Sequence, residues 1–197
     1  MTTALVAHGA EDRVLDPGVV GRRASQAAAG LTVGGIVTLA VFFAVGEPWG
    51  TINDATSIVL AGATVPIAVG LARRNPHERA LILGAALDIV GVGITAVFTS
   101  LLITRRMTFE GSLPYVLLGQ GLIGAWLVTV GIAAWPAPEY RRLAAFGMAG
   151  GAGLIATVGG FGIGGMWHPV TSMGFVAGLI GTIGFYLLLG RRRGRST

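Results

Sequence analysis

The chain contains no cysteine and no lysine. The first absence excludes disulfides, thiolate metal sites and cysteine nucleophiles. The second excludes Schiff-base chemistry, a retinal-type linkage included. Charge is scarce: Asp, Glu, Lys and Arg make up 12% of the 197 residues, and all 14 cations are arginine. None of the three histidines lies in a long apolar run, which argues against haem held in the membrane by histidine. There is no P-loop, no His-Glu-x-x-His helix and no aspartate-rich motif for a magnesium-bound diphosphate. No metal and no cofactor is expected.

What is present is apolar. Hydrophobic residues form 53% of the chain, mean hydropathy is +0.74, and 33 glycines sit mostly inside the apolar runs. This composition belongs to integral membrane proteins, where glycine lets helices approach closely. The net charge of +5 does not point to nucleic acid, because the arginines stand in pairs and triplets at the ends of apolar runs, where they set membrane topology. Arginine in place of lysine, with abundant Ala and Gly, suits a high-GC bacterial genome.

Six runs are long enough for the about 20 residues that cross a bilayer: 27–45, 55–72, 80–103, 113–134, 143–165 and 170–189. The expected fold is all-α, a six-helix transmembrane bundle over residues 24–190. A flexible cytoplasmic tail (1–23) precedes it and a basic cytoplasmic tail (191–197) follows. The start of the chain lacks the basic beginning and early apolar core of a secretory signal. With six spans both termini share a side. Arg13, Arg22, Arg23, Arg73, Arg74, Arg79, Arg141, Arg142, Arg191, Arg192, Arg193 and Arg195 then fall on that side, and only Arg105 and Arg106 opposite. This asymmetry predicts N-in/C-in topology in the bacterial cytoplasmic (inner) membrane, with Glu47, Trp49, Asp54, Glu110 and His168 outside.

Several local features follow from turn and cap chemistry. Pro66 inside the second run is expected to kink it. Thr51 or Asp54 is expected to cap the second helix. Asn75-Pro76-His77-Glu78 reads as the start of the third, with Asn75 as cap, and Pro138-Glu139 as the start of the fifth. Met166-Trp167-His168-Pro169 reads as a tight turn. The short likeness of Pro76–Leu81 to Pro138–Leu143 needs no internal duplication, since shared helix-start chemistry explains it. The glycines of the fifth run follow no strand and serve packing rather than a nucleotide.

The third run carries one carboxylate, Asp88. At helical spacing Gly84, Asp88, Gly91, Thr95 and Thr99 share a face, while Leu83, Ile89, Val90, Val97 and Leu101 lie largely elsewhere. A membrane carboxylate should face protein or a wet cavity, which places this helix at the centre of a bundle. Asp88 reads as a proton carrier, cation site or general acid, or else as a protonated acid hydrogen-bonded to a neighbouring helix. Glu47, Asn53 and Asp54, with Thr51, Thr56 and Ser57, form an outer polar cluster that reads as a ligand entrance or as a solvated, capped loop. Gln120, beside Gly119 and Gly121, reads as a bridge between helices or a ligand contact. Trp126 could shelter a developing cation.

The stretch Glu47-Pro48-Trp49-Gly50-Thr51-Ile52-Asn53-Asp54, joining the first two spans, resembles one found in small multi-span bacterial (actinobacterial-type) integral membrane proteins. That resemblance implies an inner-membrane protein and supplies no activity. The expected function is to bind or translocate a lipid, a small hydrophobic molecule or a cation through Asp88. A metal-independent, membrane-embedded isomerase or terpene-type cyclase using a protonated Asp88 or Glu47 is the enzyme alternative. An accessory subunit of a larger membrane complex is the third. Membrane lipids are the expected partners, with a homo-oligomer or larger complex possible and no nucleic acid. An internal cavity closed to water and lined by aromatics would favour the cyclase; one open to a single face would favour transport.

Overall fold

The computed structural model describes residues 15 and 17–191; the first fourteen residues, residue 16 and 192–197 lie outside it, and with them much of both expected tails. Six helices are present: α1 (Gly18–Val45), α2 (Trp49–Arg74), α3 (Arg79–Ile103), α4 (Phe109–Ala134), α5 (Arg141–Gly164) and α6 (Pro169–Arg191), with a 3-10 turn at Pro138–Tyr140 before α5. No strand occurs among the described residues. The shortest helix has 23 residues, about 35 Å at the helical rise, so each is long and apolar enough to cross a membrane. A helix is the form such a run must take in lipid, because only it satisfies its own backbone polar groups.

Each helix packs against its neighbours in sequence, and α1 against α6 closes the set into a ring. Short antiparallel connections bring the first end of α1 and the last end of α6 together with the 75–78 and 135–140 turns. This is the arginine end. The other three turns form the far end.

On α3 side chains are sorted by size rather than polarity. Leu83, Val90, Val97, Ile132, Ile163, Met173 and Ile180 face outward, while the buried face of α3 is Leu81, Gly84, Ala85, Asp88, Gly91, Thr95 and Thr99. Lipid is as apolar as leucine, so large aliphatic groups need not turn inward, and on α3 small residues mediate most of the contacts. The stripe expected on α3 is therefore buried as expected. The helix itself is one member of a ring rather than its axis, and α4, α5 and α6 are more fully covered.

The sequence boundaries were short at several ends. α1 begins at Gly18, within the expected tail, and α2 at Trp49 rather than 55. Polar residues end a hydropathy run without ending a helix. The cap of α2 also differs from expectation: Pro48 precedes the helix, and the Glu47 carboxylate accepts hydrogen bonds from the Thr51 amide (3.3 Å) and hydroxyl (3.1 Å). Asn75 serves the preceding helix, its amide donating to the Leu71 carbonyl at 2.9 Å, and α3 starts only at Arg79. Pro138 does open the 3-10 turn leading into α5. At the α5–α6 turn Gly165 has φ +76°, a conformation that favours glycine, and its carbonyl accepts the Thr171 hydroxyl at 2.9 Å.

The core changes character along the bundle. From mid-helix to the arginine end it holds large side chains, among them Ile67, Leu71, Trp126, Leu127, Leu143, Phe185 and Leu189. Beyond mid-helix toward the far end, the buried residues are Thr95, Thr99, Ser112, Gly119, Thr157, Gly160, Thr171, Gly174 and Gly178. On α1 nothing past Thr32 is buried, and on α2 nothing before Ala61.

Candidate functional site

Asp88 is wholly buried, about 13 Å along α3 from its start at the helical rise. The hydroxyl of Thr64 on α2 donates to its carboxyl, with Oδ1 at 2.8 Å and Oδ2 at 2.9 Å. The same hydroxyl oxygen lies 2.8 Å from the Ala61 carbonyl. One hydroxyl hydrogen cannot serve both acceptors. When the carboxyl carries a proton and donates it to Thr64, which then donates to Ala61, each of the two hydrogens has its own acceptor. Gain or loss of one proton at Asp88 thus switches the direction of the Thr64 hydroxyl. Among the described residues no arginine pairs with Asp88.

Composition does not single out Thr64 as this partner, but depth in the bundle does. It lies ten residues before the end of α2 at Arg74, and Asp88 nine residues after the start of α3 at Arg79. Antiparallel neighbours joined by a short turn set those two positions at one level.

On the ring's inner side Thr64 borders a cavity of about 60 Å³. Five helices line it: Thr32 from α1, Leu60, Ala61 and Thr64 from α2, Gln120 and Ile123 from α4, Leu154 from α5, and Gly178, Leu179, Thr182 and Tyr186 from α6. Asp88 is set behind Thr64 rather than in the wall. Thr32 turns its hydroxyl back to the Ala28 carbonyl at 2.8 Å. The Thr182 hydroxyl is buried and has no partner among the described residues. Tyr186 is within electrostatic reach of Asp88.

The remaining candidates are divided between three places. Gln120 joins Asp88 at this site, in the cavity wall. Glu47, Asn53 and Asp54 stay at the far end: Glu47 caps α2, and Asn53 Oδ1 accepts the Thr38 hydroxyl of α1 at 3.3 Å. Trp126 is buried in the arginine-end core, its ring edge-on to Phe185 at 6.0 Å and 84°, and does not line the cavity. A separate groove of about 370 Å³ lies at the α3–α4 turn, lined by Leu102, Arg105, Arg106, Met107, Thr108 and Phe109. It is broadly open and contains no carboxylate.

Chemically, the site offers three hydroxyls, an amide and a phenol around a space of two or so water molecules, at about 30 Å³ each, with one carboxyl behind Thr64. Those are hard oxygen donors suited to protons and small hard cations. Compared with known proteins, the chain matches no family model, no curated protein and no solved structure.

Proposed function

We propose that this multi-pass membrane protein binds a small cation, the proton included, at Asp88 and passes it across the bacterial cytoplasmic membrane. The observation that carries the reading is the wholly buried carboxyl at mid-bundle, held by the Thr64 hydroxyl and, among the described residues, by no arginine. An unpaired carboxylate costs several kcal/mol at such a depth. A helix-to-helix hydrogen bond alone needs no carboxylate, since Asn or Ser would make it without a charge. A group that must take up and release a positive charge does need one.

Size supports a small cation over a lipid or other hydrophobic molecule. Sites for organic ligands occupy about 300–1,000 Å³, whereas the cavity beside Asp88 holds about 60 Å³ and a single aromatic residue. The same comparison weighs against the cyclase alternative, which needs an aromatic-lined chamber for its substrate. Eight of the ten described arginines stand at one end and only Arg105 and Arg106 at the other, which supports a cytoplasmic arginine end.

The test is flux in proteoliposomes loaded with a pH- or sodium-sensitive dye, with an imposed gradient. Asp88→Asn keeps the side chain's shape and an acceptor for Thr64 but removes titration. Flux should fall at least about tenfold, equivalent to about 1.4 kcal/mol on the limiting step. Equal flux in the variant would sink the reading.

A further inference from the structure

We infer that the cavity is itself a binding position for one small monovalent cation, hydronium or a dehydrated alkali ion, reached from the far end of the bundle. This rests on the reading of Asp88 above and adds where the ion sits and from which side it arrives. Hydroxyls in this chain habitually bond back to a carbonyl three or four residues earlier, as Ser25, Thr32, Ser57, Thr129 and Thr157 do. Thr182 breaks that habit. Its hydroxyl is buried and unpartnered in the cavity wall, where a buried polar group without a partner is costly. The Gln120 amide and Tyr186 phenol, in the same wall, also make no hydrogen bond among the described residues. Thr95 is a second buried hydroxyl without a partner among the described residues, but it packs against Gly119 and is not in the wall of this cavity.

Charge selects the sign of the occupant. Behind Thr64 stands the Asp88 carboxyl, and the described arginines lie at the ends of the helices rather than around the cavity. Neutral oxygens backed by one carboxyl form a cation site, and about 60 Å³ admits an ion with at most one water.

Direction follows from the two ends of the core. Below the cavity Ile67, Leu71, Trp126, Phe185 and Leu189 are buried and close the arginine end. Above it, α1 past Thr32 and α2 before Ala61 bury nothing. On α2, Asn53, Ser57 and Thr64 recur at helical spacing and mark a polar way down from the far-end turn to the cavity.

Because the chain has no cysteine, single introduced thiols report access without background. In proteoliposomes of the full chain, Ser57→Cys and Leu60→Cys should react with a membrane-impermeant maleimide added on the far-end side and not from the arginine side. Ile67→Cys, in the closed core, should react from neither. Sodium chloride replacing choline chloride should slow labelling of Leu60→Cys, and acid at constant choline should slow it more than it slows Ser57→Cys, which reports the loss of thiolate common to any cysteine; the first identifies an alkali ion and the second hydronium. Adding Thr182→Val should raise the half-protecting concentration about tenfold, the scale of one lost hydrogen bond to a charge. Labelling from the arginine side, or labelling of Leu60→Cys that sodium does not slow and that acid slows no more than at Ser57→Cys, overturns the inference. If Asp88→Asn still abolishes flux in that case, the proposed function stands and only the cavity site falls. If flux also survives Asp88→Asn, both fall.

Discussion

The two ends of the bundle are built by different rules. At the arginine end large side chains interlock: Phe185 and Tyr186 of α6 meet edge to face at 5.5 Å, and Trp126 of α4 completes the cluster. At the far end no large apolar side chain is buried among the described residues, and helices touch through glycine, serine and threonine. A Cβ on Gly160 would strike the Thr171 amide, and one on Gly174 would lie 2.7 Å from the Thr157 amide. Backbone contact of this kind holds α3 to α6 together but does not extend to α1 and α2, whose far halves bury nothing. The difference separates a sealed, rigid floor from an end that can admit an ion, with Asp88 and Thr64 at the boundary.

The strongest way to break the comparison is at the floor. Phe185→Ala removes a wholly buried ring and should cost about 3–5 kcal/mol, read as a large drop in thermal midpoint in detergent. Gly153→Ala tests the glycine seam. Its Cβ would lie 2.7 Å from the Gly174 carbonyl and from the Gly178 Cα, backbone atoms that cannot move aside cheaply. A cost of about 1–3 kcal/mol is expected. A fall larger for Gly153→Ala than for Phe185→Ala would reverse the assignment of rigidity to the arginine end.

The sequence carried the six spans and the inward stripe of α3 because both follow from one-dimensional rules: run length against bilayer thickness, and small residues at helical spacing. Asp88 was legible for the same reason, as an acid where acids are expensive. Its partner was not, because Thr64 lies in an apolar run like many other threonines, and only depth across the 75–78 turn singles it out. Helix ends are hidden where polar residues continue the helix beyond the apolar run, as at Gly18 and Trp49. Asn75 faced two helices at once, and local chemistry suits it to either; the Leu71 carbonyl decided the matter. The division of the core into large and small halves needs every helix's register and direction together, which no single run contains.

At the boundary, Thr64→Val should cost about 1–3 kcal/mol, since it leaves the Asp88 carboxyl buried without its partner. Asp88→Asn keeps a bond to Thr64 and should change stability by no more than about 1 kcal/mol. The order matters more than the sizes. If Asp88→Asn destabilises more than Thr64→Val, the carboxyl is chiefly a structural link between α2 and α3, and the contrast between a rigid floor and a working boundary weakens.

The smallest effect is expected where the molecule is least packed. Nothing lies within 4 Å of a Cβ added to Gly30 on α1 or Gly62 on α2. Alanine there fills open space beside lipid and removes glycine's conformational freedom, which costs a helix up to about 1 kcal/mol in water. Gly30→Ala and Gly62→Ala should therefore leave the thermal midpoint unchanged or raise it slightly. The same substitution at Gly153 lowers it, so a single atom added at three glycines reads out which helices are in backbone contact. A loss at Gly30 or Gly62 approaching that at Gly153 would mean that α1 and α2 are covered in the bilayer by something beyond this chain's own helices. The far end would then be closed by a neighbour and not open to ions.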